Sequence, residues 1–194
     1  MLKLTLVVLT GGNSKRFGDN KCLYKIGGKT MIEMIVDSIG KLFSETIFVG
    51  SNPQIGVGKF LRDIHPNRGP VGGLETALIN SKYESIFLIA CDMPFVSFEV
   101  VKNMIEVRDE YSILCPLVEN IYQVTHAIYS KSVFPAVVKE LKREKPSLTH
   151  IVLHTPNTLF LDENHFKHLE GYRESFKNFN FKSEIKLYNT ENPA

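Results

Sequence analysis

The sequence predicts an α/β fold with a mostly parallel, twisted sheet and helices on both faces. Strand and helix patterns alternate through the first 110 residues, as in chains of β-α-β units with right-handed crossovers. Segment 84–91 is the most apolar run of the chain, which is typical of a central strand buried on both faces. With 194 residues the chain is long enough to bury a sizeable core, and we expect a single domain over residues 1–194.

The first predicted elements are a strand, a helix and a second strand. The run Leu4–Leu9 is apolar and rich in β-branched residues, which indicates a buried strand. Thr30, with Glu33 three residues later, forms the pattern of a capping box at the start of a helix that ends at Gly40. Segment 45–49, which ends in Ile47, Phe48 and Val49, is expected to form a second strand that stops at a turn over residues 50–53.

The central part of the chain continues the alternation. Pro70 favours the first position of a helix that runs to about residue 81. Gly72 and Gly73 lower helix propensity in its first turn, which is understandable if a ligand or a strand packs close to that turn. The other expected elements are a short strand near 60–61, a helix from Ser97 to about 109, strands at 112–117, 123–129 (a candidate antiparallel strand) and 158–161, and helices at 131–144, 147–154 and the carboxyl end.

Composition and charge exclude several classes of function. A net charge of +2 is too small to indicate a nucleic-acid partner or a membrane surface, and no run approaches the ~18 apolar residues of a membrane helix. The amino-terminal apolar run is short and meets Gly-Gly, so we interpret it as a strand and not as a signal peptide. Cys22, Cys91 and Cys115 are far apart, which predicts free thiols in the cytoplasm and neither a zinc site nor a disulfide framework.

A glycine-rich basic loop, residues 9–21, follows the first strand. Gly11 and Gly12 lack Cβ atoms, so their backbone can approach a ligand and point N–H groups at an anion. Arg16 and Lys21 add the positive charge that a phosphate chain needs. The loop lacks both the Gly-Lys-Ser/Thr ending of a P-loop and the spacing of a dinucleotide loop, and the alternative is a turn with a solvated basic face.

Asp92 is the sharpest single candidate for a metal ligand. It follows the most apolar strand and precedes Pro94, so its carboxylate is held at the end of the predicted sheet. Mg²⁺ prefers one or two carboxylates together with phosphate oxygens and water, which Asp92 opposite the basic loop would supply. The alternative for Asp92 is a helix-capping carboxylate. His126 lies in a predicted strand, and this position favours a packed histidine over a catalytic one.

Three segments resemble those of molybdenum cofactor guanylyltransferases, the MobA-like proteins. Residues 9–18, followed by Lys21, are similar to the family pattern L-A-G-G-x-S-x-R-M-G-x-D-K. Segment 69–74 looks like the family's G-P-L-A-G-L, and segment 91–95 matches its C-D-M-P-F. Order and approximate spacing also agree, and the resemblance covers roughly residues 4–130.

The resemblance implies a three-layer Rossmann-like nucleotidyltransferase fold and a Mg²⁺-dependent enzyme. Such enzymes transfer GMP from GTP to the phosphate of the molybdopterin cofactor and release pyrophosphate. The implied partners are GTP, the molybdopterin cofactor and proteins that deliver or accept it. The implied residues are Arg16, Lys21 and Asp92 for catalysis, Leu9, Thr10, Gly11, Gly12, Lys21, Asn52, Asp63 and Asp92 for the nucleotide, Asp92 for the metal, and Asn178 and Asn180 near the acceptor.

The sequence also departs from the family pattern and leaves alternatives open. Thr10 replaces Ala, Phe17 replaces Met, Asn20 stands where Asp precedes the Lys, and the residues after Asn180 differ from the usual Thr-Pro-Glu. The resemblance to the family is therefore weak over the last sixty residues. The alternatives are a cytidylyltransferase, a sugar-phosphate nucleotidyltransferase and a non-catalytic GTP-binding adaptor. A P-loop kinase is disfavoured by the missing Gly-Lys-Ser/Thr ending.

Overall fold

The computed structural model describes residues 2–11, 21–51, 55–180 and 184. Of the predicted site residues, Gly12, Arg16 and Asn52 lie outside these ranges, and so does the expected helix at the carboxyl end. Within the described ranges, eight strands form one sheet: β1 (Leu2–Leu9), β4 (Phe43–Val49), β5 (Lys59–Leu61), β6 (Ser85–Ala90), β7 (Ile113–Val118), β8 (Ile121–Tyr122), β9 (His126–Ser130) and β10 (Thr158–Asp162). A hairpin, β2 (Lys25–Ile26) and β3 (Lys29–Thr30), stands apart from it.

The helices fill the connections between these strands. The α-helices are α1 (Met31–Ile39), α2 (Gly69–Asn80), α3 (Phe98–Glu106), α4 (Phe134–Leu141), α5 (Leu148–His154) and α6 (Tyr172–Ser175). Short 3-10 helices span Lys21–Leu23, Gly40–Leu42, Lys131–Val133 and Glu163–His165. Among these described helices none combines the length and the apolar character that crossing a bilayer requires.

The sheet order is β10-β7-β9-β6-β1-β4-β5, with β8 attached to β7. Strands β1, β4, β5 and β6 are parallel to one another, and β7 and β10 are parallel to each other. Strand β9 lies antiparallel between β6 and β7, as the sequence predicted for segment 123–129. The mostly parallel sheet is therefore confirmed, although the central strand β6 has one antiparallel neighbour.

Helices cover both faces of the sheet, as predicted. One apolar cluster joins α1 and α3 to one face, through residues such as Ile35 and Met104. The other joins α2, α4 and α5 to the opposite face, through residues such as Leu74, Val137 and Ile151. Because alternate side chains of a strand point to opposite faces, β1 contributes Leu6 and Val8 to the first cluster and Val7 and Leu9 to the second.

Local signals set the starts of the helices well and their ends less well. The capping box at Thr30 and Glu33 is present, and Ser97 accepts a hydrogen bond from the Val100 N–H at the start of α3. Helix α3 ends at Glu106, earlier than the predicted 109, and the expected helix 131–144 is a 3-10 turn followed by the shorter α4. The four-residue α6 was not predicted, because so short a helix shows no periodicity.

The glycines of α2 allow the helix start to pack against the end of β1. A Cβ atom on Gly73 would lie 2.5 Å from Leu9 Cδ2, and one on Gly72 would lie 2.9 Å from the His65 carbonyl oxygen. The sequence predicted close packing of a ligand or a strand at this turn, and the strand end supplies it. These glycines bring the first turn of α2 up to the segment that follows β1.

The prediction of free thiols is wrong for two of the three cysteines. Cys22 and Cys91 form a disulfide that links positions 69 residues apart in sequence, whereas Cys115 is free and buried. The two cysteines meet because β1 and β6 are parallel neighbours whose following segments leave the same edge of the sheet. The spacing of the cysteines in the sequence does not show that β1 and β6 are neighbouring strands.

Candidate active site

The candidate site lies where the parallel strands β5, β4, β1 and β6 end side by side. Leu9 at the end of β1 is in register with Val49 of β4 and Ala90 of β6, and Val49 is in register with Leu61 of β5. The residues that follow each strand therefore emerge at one edge. Open α/β sheets bind ligands outside this carboxyl edge, which agrees with the placement of Thr10, Gly11, Asp63 and Asp92.

Thr10 fixes the beginning of the glycine-rich loop. Its N–H donates to the Val49 carbonyl at 2.8 Å, and its hydroxyl contacts the carbonyl oxygens of Val49 at 3.0 Å and Ser51 at 2.6 Å. On the other side, the Cys91 N–H donates to the Leu9 carbonyl at 3.1 Å. The hydroxyl that distinguishes Thr10 from the family's alanine therefore ties the loop to the segment after β4.

Gly11 and Gly50 bring two backbones into direct contact. Gly50 has φ +120°, and a Cβ atom there would lie 2.4 Å from the Gly11 nitrogen. No side chain larger than hydrogen fits at position 50 without moving the loop. The segments after β1 and β4 therefore pack backbone against backbone at this edge of the sheet.

Asp63 reaches into the same edge from the segment after β5. Its Oδ2 lies 3.5 Å from the point where a Cβ atom on Gly11 would be, and its Oδ1 lies 3.7 Å from the corresponding point on Gly73. Burial raises the pKa of this carboxyl group above its ordinary value. No hydrogen bond to the carboxylate is found within the described ranges, so a ligand that offers N–H or O–H groups would supply missing partners.

Lys21 and Asp92 form an ion pair at the centre of the site. The Lys21 Nζ lies 2.9 Å from Asp92 Oδ2, and the two side chains are 15% and 24% exposed. Lys21 Nζ also donates to the Asn180 Oδ1 at 3.2 Å. The other carboxylate oxygen, Asp92 Oδ1, is buried and has no hydrogen-bond partner among the described residues.

The carboxyl-terminal segment closes one side of the site. The Phe179 N–H donates to the Asp92 carbonyl at 2.9 Å, and the fully buried Phe179 ring packs on Phe95 with centroids 5.3 Å apart. Asn180 donates its N–H to Glu184 Oε2 at 2.6 Å. Docking of Phe179 thus places Asn180 beside Lys21, and Asn178 faces away toward a neighbouring cleft.

That cleft has a volume of about 430 Å³ and lies at the same edge, beyond β7 and β10. Carboxylates, an amide and cations line it, among them Glu119, Gln123, Glu163, Arg173 and Lys177. The Tyr172 hydroxyl accepts from Arg173 Nε at 2.9 Å and donates to Glu163 Oε1 at 3.3 Å, which links two sides of the cleft. Sequence reasoning did not find these residues, because they come from three separate segments, 118–123, 163 and 172–178.

Asp92 is suited to hold Mg²⁺ with a nucleotide. Its unpartnered Oδ1 is a hard oxygen ligand, and Mg²⁺ often takes only one or two carboxylates and completes its octahedron with phosphate oxygens and water. No cluster of three or more His, Cys, Asp or Glu side chains that could hold a metal occurs in the described part of the chain. A metal carried by the nucleotide therefore fits this site better than a cage made by the protein alone.

His126 occupies the apolar interior beneath the site. Its ring is fully buried between Phe87 and Phe176, with centroid distances of 5.2 and 4.6 Å. Burial, only partly offset by the Ser175 backbone, lowers its pKa to about 3. The packed interpretation of His126 is confirmed.

Comparisons with known proteins identify the family of this chain and its structural neighbours. The family described as "MobA-like NTP transferase domain" matches residues 6–155. A protein of Natranaerobius thermophilus called "Probable molybdenum cofactor guanylyltransferase" is 31% identical, over 94% of this chain and 93% of its own. The crystal structure of molybdopterin-guanine dinucleotide biosynthesis protein A from Archaeoglobus fulgidus superposes with a TM-score of 0.82 at 21% identity, covering 96% and 97% of the two chains. A 2-C-methyl-D-erythritol 4-phosphate cytidylyltransferase from Thermus thermophilus shares the fold with a TM-score of 0.71 at 13% identity, covering 97% and 98%.

Proposed function

Because the chain belongs to the MobA-like NTP transferase domain family, we propose that it transfers GMP from GTP to the phosphate of the molybdopterin cofactor and releases pyrophosphate. The observation that carries the proposal is the Lys21–Asp92 pair, which lies beside the start of the glycine-rich loop at the carboxyl edge of the sheet. A cation and a carboxylate therefore lie at one point, which is what a phosphate and its metal would require. The Natranaerobius relative, which is called a probable molybdenum cofactor guanylyltransferase, supports guanylyl transfer in particular.

The reaction needs no nucleophilic side chain, since the acceptor phosphate is itself the nucleophile. Its oxygen forms a bond to the α-phosphorus of GTP, and the bond from that phosphorus to the bridging oxygen of the β-phosphate breaks. The protein must hold two anions in line and neutralise their repulsion. Lys21 is placed to contact the α- and β-phosphates, and Arg16, from the basic loop, would add a second cation.

Magnesium would bind Asp92 through the unpartnered Oδ1. When bound there, it neutralises charge on the phosphates and orients the triphosphate. Lys21 Nζ lies 2.9 Å from Asp92 Oδ2 in this structure; when the triphosphate binds, Lys21 would turn from the carboxylate to the phosphates. The Phe179 N–H bond to the Asp92 carbonyl fixes the backbone of the same residue.

The nucleoside would lie across the ends of β1, β4 and β5. Backbone groups of Leu9, Thr10 and Gly11 can approach it because Gly11 and Gly50 carry no side chain. The Asp63 carboxylate would accept hydrogen bonds from donor groups of the nucleoside, and Asn52 follows the neighbouring strand. This arrangement separates the nucleoside from the phosphates at Lys21.

The acceptor would occupy the cleft beyond Asn178. A pterin ring presents N–H donors and acceptors at its edge, which match the carboxylates of Glu119 and Glu163 and the amide of Gln123. Its phosphate would then point along Asn178 and Asn180 toward Lys21, since Asn180 already contacts that lysine.

A nucleotide panel tests the proposed function. Purified protein is incubated with Mg²⁺, molybdopterin cofactor and GTP, CTP, ATP or UTP in turn, and pyrophosphate release is measured. We expect release with GTP at a rate at least tenfold above the other nucleotides, and none when Mg²⁺ is removed with EDTA. Selective release with CTP would identify a cytidylyltransferase instead, and tight GTP binding without release would identify an adaptor.

A further inference from the structure

Cys22 and Cys91 form a cross-link directly beside the two charged residues of the site. Cys22 follows Lys21 in the 3-10 helix Lys21–Leu23, and Cys91 precedes Asp92 in the turn after β6. Their Cα atoms are 5.4 Å apart, and the two residues are only 2% and 7% exposed. The cross-link therefore joins the backbone that carries the phosphate-binding lysine to the backbone that carries the metal-binding aspartate.

We propose that Cys22 and Cys91 are a thiol–disulfide switch that controls nucleotide binding at this site. The disulfide holds Lys21 against Asp92 and weakens the binding of GTP with Mg²⁺. The dithiol lets the two segments separate and admit the nucleotide. The consequence for activity rests on the proposed function, whereas the cross-link itself can be measured without any nucleotide.

Geometry gives the direction of the effect. The disulfide ties the backbone beside Lys21 to the backbone beside Asp92. Reduction removes this covalent link, so the two segments are no longer held together. In the cross-linked state the Lys21 ammonium lies on Asp92 Oδ2, where it competes with the charges that a metal–phosphate complex must bring between the same two groups.

The switching chemistry is a two-electron oxidation of the two thiols by hydrogen peroxide. One thiolate attacks a peroxide oxygen, gives a sulfenic acid and releases water after protonation. The second thiol attacks the sulfenic sulfur, forms the S–S bond and expels a second water. A dithiol reductant reverses the step by thiol–disulfide exchange and is itself oxidised to a disulfide.

Cys115 supplies a matched control within the chain. It is fully buried in the apolar cluster on the opposite face of the sheet from Cys22 and Cys91. Burial also raises the pKa of its thiol to about 12, so little reactive thiolate forms there. Replacing Cys115 changes the number of cysteines without touching the cross-link.

The experiment compares the wild-type chain, Cys22→Ala and Cys115→Ala after hydrogen peroxide and again after dithiothreitol. Peptide mass mapping without reduction detects the 22–91 cross-link, and calorimetry measures the Kd for GTP in the presence of Mg²⁺. We expect the cross-link to form in the wild-type chain and in Cys115→Ala. In both, the Kd for GTP should be at least tenfold higher after oxidation and should return to its starting value after reduction. Cys22→Ala should show neither the cross-link nor the change in Kd.

Two results would overturn the switch. One is failure of the 22–91 cross-link to form, and the other is a Kd that is equal or lower in the oxidised chain. If Cys22→Ala does not fold, Cys91→Ala removes the same cross-link, and the loss of a peroxide response is measured there. A reduced chain that does not bind GTP would overturn the proposed function, while equal binding in both redox forms would overturn the switch alone.

Discussion

Lys21 is the side chain whose removal best separates catalysis from folding. In the proposed mechanism it stabilises charge on the transferred phosphate, and loss of one such donor lowers kcat by about 10²–10³-fold. We expect Lys21→Ala to lose at least ~100-fold in pyrophosphate release. Lys102→Ala, on the exposed face of α3 and paired with Glu106, is the control and should keep wild-type turnover. Near-normal turnover of Lys21→Ala, with its folding checked by calorimetry, would remove Lys21 from the mechanism.

Asp63 combines a cost in stability with a role in binding. Because burial raises its pKa, ionisation is less favourable in the folded chain than in the unfolded one. The protonated carboxyl group contributes its full stability below the pKa that Asp63 has in the unfolded chain. This stability is lost as the pH rises through the pKa of Asp63 in the folded chain, so ionised Asp63 destabilises the fold at pH 7. Asp63→Asn should therefore raise the thermal midpoint at pH 7 and weaken GTP binding, as measured by calorimetry. A lower midpoint, or unchanged GTP binding, would contradict this role.

Arg173 tests the acceptor cleft separately from the nucleotide site. Its guanidinium contacts the Tyr172 hydroxyl at the cleft and lies on α6, away from the Lys21–Asp92 pair. We expect Arg173→Ala to raise the KM for the molybdopterin cofactor several-fold and to leave the Kd for GTP unchanged. Steady-state kinetics with each substrate varied in turn measures both effects. An equal change for both substrates would place Arg173 outside an acceptor-specific site.

At the scale of elements, the junction between β4 and β1 depends on Gly50. Its positive φ and its contact with the Gly11 backbone mean that Gly50→Ala imposes strain of about 1–3 kcal/mol before any clash is counted. Gly56→Ala is the matched control, because nothing lies within 4 Å of a Cβ atom at that position. Urea unfolding should show a lower midpoint for Gly50→Ala alone, together with weaker GTP binding. Equal midpoints for the two variants would show that the loop yields without cost.

The same scale shows what sequence could and could not provide. Strand patterns, the Thr30 capping box and the position of Asp92 were predictable, because each depends on neighbours within one turn or one strand. The Cys22–Cys91 cross-link and the cleft beyond Asn178 were not, since they join segments that only the sheet order brings together. Nor did the sequence reveal the β2–β3 hairpin, whose strands have two residues each.

At the scale of the whole molecule, His126 links global stability to pH. Its pKa of about 3 in the fold lies far below the ordinary value near 6.5, so the unfolded chain binds a proton that the folded chain excludes. The stability from neutral His126 is full above pH 6.5 and is lost as the pH falls toward 3, at about 1.4 kcal/mol per pH unit within that window. Between pH 6.5 and 5 His126 therefore makes the free energy of unfolding depend on pH, whereas most carboxylates titrate below this range.

Replacing His126 with phenylalanine removes the group that binds this proton in the unfolded chain. The substitution keeps an aromatic ring between Phe87 and Phe176. Urea unfolding from pH 6.5 to 5 should give a free energy that falls more steeply for the wild-type chain than for His126→Phe, by about 1.4 kcal/mol per pH unit. The exposed His168, changed to Gln, should keep the wild-type slope. Parallel slopes for wild type and His126→Phe would mean that the buried ring does accept a proton in the folded state. The core beneath the active site would then tolerate a charge that its apolar packing, against Phe87 and Phe176, is expected to exclude.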